Sequence, residues 1–271
     1  MGLDRLSRLS FRNVTDCALY NRAPVVYTGC MVRQLCACFL LAHLASAFEL
    51  PQSSSQAVVG IAKSWQSSHL TMSLYERDAE GSWHRIDGPW RGRCAKKGLA
   101  WGRGLHPLPL TAPQKAEGDW RAPAGVFHIG GAWGYQKSIK KHPKLPYRQV
   151  TTRDLWVEDP ASKHYNRHLL LKHEPREPWQ KKAQMRQNDY PHSLKLFIGH
   201  NVVPRPIPGA GSSIFFHIWR GDGAKPTSGC TTMHETHLRT LVAKIDPGRN
   251  PLYILLPESD YKRLRGTWRL P

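Results

Sequence analysis

The stretch PGAGSSIFFHIWRGDGAKPTSGCTTM, Pro208 to Met233, decides how the chain is read. A Gly-rich turn leads into an apolar run, Ile214 to Ile218, with His217 near its end. A second Gly-rich loop follows, and Cys230 closes it just ahead of a segment with helical periodicity. A loop of this length can return Cys230 to the side of the strand that carries His217. A thiol of ordinary pKa is mostly protonated at neutral pH, and a neighbouring imidazole can take its proton. A helix N-terminus after the Cys would favour the thiolate further. Gly229 permits close backbone approach, so that nearby N–H groups can converge on one oxyanion. Spacing alone leaves two readings open, a nucleophile with its base or a buried Cys near an ordinary core His.

Outward from this stretch, short strand patterns dominate. Residues 57–61 and 252–256 are continuous apolar runs, and 70–75 alternates. Further strands are expected at 126–129, 155–157, 168–172, 194–198 and 214–218, with short strands at best across 82–125. One helix is expected from Met233 to Ile245, because Leu238, Leu241, Val242 and Ile245 recur on one face. Thr232 and Glu235 have the spacing of a capping box for it. The pattern predicts a single mostly-β domain over 56–258 with one late α-helix, a polar linker at 48–55 and a C-terminal tail at 259–271. Residues 172–186, charged and carrying Trp179 and Met185, are expected to be a lid or a solvated loop.

The N-terminal segment has a different character. A short basic start at Met31–Gln34, an apolar run at Leu35–Ala42 and the small-residue site Ala45-Ser46-Ala47 have the layout of an export signal. On this reading Met31 is the initiator, 1–30 is an upstream extension, and 31–47 is removed. Of six cysteines, four then leave with the leader, and only Cys94 and Cys230 remain in the exported domain. Cys94 is expected to be a structural free thiol.

Several ordered motifs join the Cys/His segment. Arg121-Ala122-Pro123-Ala124-Gly125-Val126-Phe127 precedes it, as do Trp156 to Ser162 with Tyr165-Asn166, and Ile198-Gly199-His200-Asn201. Together with G-x-G-S-x-I-F-x-H and P-T-x-G-C, these resemble the YkuD-type L,D-transpeptidases, in a divergent branch. The resemblance implies a β-sandwich-like, mostly-β fold that acts on peptidoglycan stem peptides without a cofactor or metal. It implies Cys230 as nucleophile and His217 as general base and acid. Ser228, Gly229 and Thr231 would shape the oxyanion turn, and His200, Asn201, Trp219, Thr227 and Trp179 are weaker substrate-binding candidates. Two positions depart from the common branch. Ser228 stands where a His usually precedes the Gly-Cys pair, and Thr232 stands where Arg or Asn is usual; both bear on substrate and acceptor choice. The acyl acceptor would be an amine; water, in a hydrolase of wall links, is the alternative, as is a wall-binding module without turnover.

Charge narrows the partners. The chain has 39 basic and 20 acidic residues, a net +19. Residues 1–47 hold only five Arg and two Asp, so the excess belongs to the exported domain. No nucleic-acid motif accompanies it. The expected partners are therefore stem peptides and anionic envelope polymers in the periplasm or wall, with no nucleic acid and no membrane anchor once the signal is removed.

Overall fold

The computed structural model describes residues 48–271. The expected upstream extension and export signal, 1–47, lie outside the described residues. Twelve strands are present among them: β1 (Gln56–Ala62), β2 (His69–Arg77), β3 (Trp83–Arg93), β4 (Leu99–Trp101), β5 (Ala122–Gly134), β6 (Tyr147–Gln149), β7 (Asp154–Trp156), β8 (His168–Leu170), β9 (Leu194–Ile198), β10 (Phe215–Ile218), β11 (Thr231–Met233) and β12 (Leu252–Pro257). The helices are α1 (Pro178–Lys182), α2 (Glu235–Lys244) and α3 (Glu258–Trp268). The fold is mostly β, as the strand patterns predict.

The apolar runs explain the centre. All six residues of β12 are buried, as are six of the seven in β1, and the two strands pair in parallel. Such uninterrupted runs suit strands covered on both faces. The main sheet runs β12-β1-β2-β3-β11-β10-β9-β5, and β5 also pairs with β12, so the sheet closes on itself. Closure depends on the length of β5. Its residues 125–128 pair with β12 and its residues 129–134 with β9. Gly125, at φ +132, passes over the buried His106 ring, where a Cβ would lie 1.8 Å from a ring carbon. His106 Nδ1 accepts the Val126 N–H at 3.1 Å, which fixes the start of this strand. β7 and β8 form a separate hairpin beside the sheet.

Three expectations change. The region 82–125 contains an eleven-residue strand, β3, despite the sequence WHRIDGPWRGR. Pairing on both sides, with β2 and β11, supplies the order that its own pattern lacks. The helix after Cys230 starts only at Glu235, because Thr232 belongs to β11. The expected capping box is therefore absent. His234 caps α2 instead, its Nδ1 accepting the Thr236 N–H at 3.2 Å, and the Glu235 carboxylate pairs with Arg239. The segment 259–271 is a packed helical end. Leu264, Trp268 and Leu270 are buried, and Trp268 packs edge-on against Phe48 at 4.9 Å. The Leu50 N–H donates to Trp268 O at 3.0 Å, so the predicted linker is held down as well.

Candidate active site

β10 alternates. Phe216 and Ile218 enter the core, while Phe215 and His217 face the other side. The sheet register then sets the neighbours of His217. It pairs with Lys195 on β9 and with Thr232 on β11, and Thr232 pairs in turn with Arg93 on β3. Directly paired residues share a face of the sheet. Lys195, His217, Thr232 and Arg93 therefore form one polar row across four strands. Cys230 sits immediately before β11, half-buried, and lines a cavity of about 500 Å³ together with His217, His192, Glu158 and Thr232.

Local hydrogen bonds set the orientation of the dyad candidates. His217 Nδ1 lies 2.8 Å from Ile218 O. A carbonyl only accepts, so Nδ1 carries the proton and Nε2 keeps its lone pair. The Cys230 thiol donates to Ser213 O at 3.4 Å, and not to the imidazole. Thr227 Oγ1 donates to Cys230 O at 2.6 Å and accepts the Gly229 N–H at 3.2 Å, which ties the turn into shape.

Burial dominates the electrostatics. It pushes the Cys230 thiol up to about 11, against the opposing pull of the Phe215 N–H and the Lys195 ammonium. It pushes His217 down to about 3, helped by His192, Lys195 and Arg220. The resting pair is thus a neutral thiol and a neutral imidazole. Burial also lowers Lys195 to about 8, while Cys230, Asp189 and Glu158 pull it upward; its Nζ donates to Met185 O at 2.8 Å. His192 lies against His217 with ring centroids 4.7 Å apart, and burial holds it down at about 4. Its Nδ1 meets Asp189 Oδ1 at 2.7 Å, and Asp189 also pairs with Arg220. Desolvation at the cavity wall raises the Glu158 carboxyl, although the residue as a whole is exposed, and the nearby Ser213 opposes the shift.

The sequence-predicted residues separate into three groups. Cys230, His217, Ser228, Gly229 and Thr227 line the cavity. Thr231 does not; it is buried, and its hydroxyl bonds Tyr253 OH at 2.9 Å on the core side, because adjacent strand residues alternate faces. His200 and Asn201 are also buried and act on backbone. His200 Nδ1 accepts the Arg103 N–H and its Nε2 donates to Ala210 O, while the Asn201 amide binds Ile207 and Gly211. They hold the 201–211 loop that leads into β10. Trp179 is 42% exposed on α1, away from the cavity, and Trp219 lines a different one. Of the segment 172–186, expected to be a lid or a solvated loop, Met185 near its end packs inward. Met185 is buried against Val150, Trp156 and Phe215, with Cys230 packed beside this cluster.

The sequence reading missed His192 and Lys195, and it placed Glu158 and Asn166 in a motif without giving them a role. Buried Asn166, at φ +54, is fully used: Oδ1 accepts from Trp156 Nε1 and Ser213 N, and Nδ2 donates to His200 O and Asn201 O. It fastens the carbonyl-bearing strand entry at Ser213 to the segment behind it. Lys195 had one available signal, a lone cation inside the apolar strand LKLFI.

No curated protein matches the chain. A solved structure from Bdellovibrio bacteriovorus, "Structure of Bdellovibrio bacteriovorus Bd1075", is 11% identical, with a TM-score of 0.37 over 82% of this chain. The match spans 57% of that structure's chain. A family model described as YkuD, L,D-transpeptidase catalytic domain, matches residues 90–254. That span runs from within β3 into β12 and includes both His217 and Cys230. The chain belongs to the YkuD L,D-transpeptidase catalytic domain family.

Proposed function

We propose that this chain is an exported peptidoglycan acyltransferase in which Cys230 is the nucleophile and His217 the proton carrier. One observation carries the reading. Cys230 and His217 line the same cavity, and the Nδ1 hydrogen bond to Ile218 O leaves His217 Nε2 as the unprotonated nitrogen. A neutral resting pair favours proton transfer during attack over a preformed thiolate. Cys230 Sγ attacks the carbonyl carbon before the terminal D-Ala of a stem tetrapeptide, and Nε2 takes the thiol proton. The Gly229 N–H is engaged by Thr227, so the oxyanion falls to the amides of Ser228 and Cys230, which have no partner among the described residues. The C–N bond breaks, D-Ala leaves with the proton from His217, and a thioester remains. An amine of a second stem attacks the thioester, gives its proton to His217 and restores the thiol.

The Lys195 ammonium, close enough to act on the Cys230 charge, stabilises negative charge developing on sulfur. The basic surface suits an anionic envelope, and the leader pattern at 31–47 suits export. Muropeptide analysis of sacculi treated with the full chain tests the reading. Shortened stems with new cross-links are expected. Cleaved links without new ones would make water the acceptor, and unchanged muropeptides would end the enzymatic reading.

A further inference from the structure

The polar row does not stop at Arg93. Arg93 pairs with His69 on β2, and Thr71 pairs with Arg91 two positions along the same strands. These side chains share the face that carries His217. With Lys63, just past the end of β1, they line a second cavity of about 430 Å³, roofed by Trp219 and Gly223 from the β10–β11 connection. The lining contains no acidic residue. Among the described residues, none of Lys63, Arg91 and Arg93 belongs to an ion pair.

Arg93 is the telling member. Its residue is only 8% exposed, yet its guanidinium faces no counterion. Nη1 contacts His69 Nε2, Nη2 reaches Ala224 O at a long 3.4 Å, and Nε is buried without a partner. A guanidinium only donates, so His69 offers a lone pair and is neutral. Burial, with Arg93 and Arg91 nearby, also lowers its pKa. A buried cation without a counterion is costly, and the like charge of Arg91, two positions away on the same strand β3, adds to the cost. An anion entering the cavity removes both penalties.

We propose that this second cavity is an anion subsite that takes a carboxylate of the molecule processed at Cys230 or a phosphate of an envelope polymer lying beside it. Location gives the subsite its use, which rests on the Cys230 reading. Arg93 lies two strands from His217 and His69 three, roughly 10 and 15 Å at the usual strand spacing. An extended peptide covers that distance in about three to four residues. A wall peptide carboxylate and an envelope-polymer phosphate share the required chemistry.

Calorimetric titration of the full chain carrying Cys230→Ala tests the subsite without requiring turnover. The probes are inorganic phosphate and a purified disaccharide-tetrapeptide. Lys63→Gln with Arg91→Gln removes two exposed cations and leaves the core untouched, and Arg93→Met removes the buried one. At least one probe binds saturably, and the double variant weakens it roughly tenfold, as expected for lost charge-assisted hydrogen bonds. Dependence confined to phosphate assigns the subsite to phosphate polymers, and dependence confined to the muropeptide assigns it to stem carboxylates. Binding of neither probe, or binding unchanged in both the double variant and Arg93→Met, overturns the proposal. Because the chain tested is already inactive, failure here is separate from failure of the acyltransferase reading.

Discussion

Cys94 and Cys230 are the two free thiols of the described residues, and burial raises both, Cys94 to about 12 and Cys230 to about 11. Their surroundings differ. Cys94 is fully buried just past β3, packed in the main core, with Ser67 O at 3.5 Å as its acceptor. Cys230 reaches a cavity and shares it with an imidazole that has one nitrogen free and with a tight Thr227–Cys230 turn. Acidity alone does not distinguish a nucleophile from a packing group here. Access to a cavity, and an imidazole in that cavity with a free nitrogen, set Cys230 apart from Cys94.

The largest expected effect follows from that contrast. Cys230→Ala abolishes acyl transfer, whereas Cys94→Ala keeps it, with rates read from muropeptide product formation. Loss of activity in both, with both proteins folded, would remove the distinction. Next, His217→Gln lowers kcat by roughly 10²–10⁴, the usual worth of a general base, while the thermal midpoint stays within a few degrees.

Labelling should divide the thiols as clearly. Iodoacetamide modifies Cys230 faster than Cys94 in the native chain, read by peptide mass mapping, and the two become equal only in denaturant. Equal native rates would show that the Cys94 environment opens as readily as the cavity.

The smallest effects concern pH. The acid limb of kcat/KM lies well below the ordinary imidazole value, because His217 stays neutral down to about 3. Activity declines above about 8 as Lys195 loses its charge. Stability follows the same sign. His106, His192, His200 and His217 have folded pKa values of about 3–4 against 6.5 unfolded. Their neutral forms stabilise the fold fully above pH 6.5, and that contribution falls as pH drops towards 4, since only the unfolded chain gains protons. A fall in thermal midpoint of roughly 20 °C or more from pH 7 to 4.5 is expected by calorimetry. A flat profile would mean that these rings are hydrated in solution.

How much of this was legible depended on whether the information was local. The strand ending at His217, the loop to Cys230 and the face of Leu238, Leu241 and Val242 follow from residues close in sequence. β3 was not legible, because its order comes from β2 and β11 and its own residues show no alternation. α3 read as a C-terminal tail because its buried apolar residues, Leu264 and Trp268, gain meaning only against Phe48 and the core. The polar row from Lys195 through His217 to Arg93 exists only once the strand register is known. Its two cations, Lys195 and Arg93, each alone resemble a solvated charge. Thr231 failed for a simpler reason, the one-residue alternation that turns it inward while its neighbour Thr232 lines the cavity.

The most direct measurement is the intact mass of the full chain quenched in acid during reaction with a disaccharide-tetrapeptide. The expected species is the protein plus the substrate less D-Ala, mapped to the Cys230 peptide. It should persist in Cys94→Ala and be absent in Cys230→Ala. A covalent adduct that survives Cys230→Ala, or stem cleavage with the adduct on another residue, would contradict Cys230 as the nucleophile.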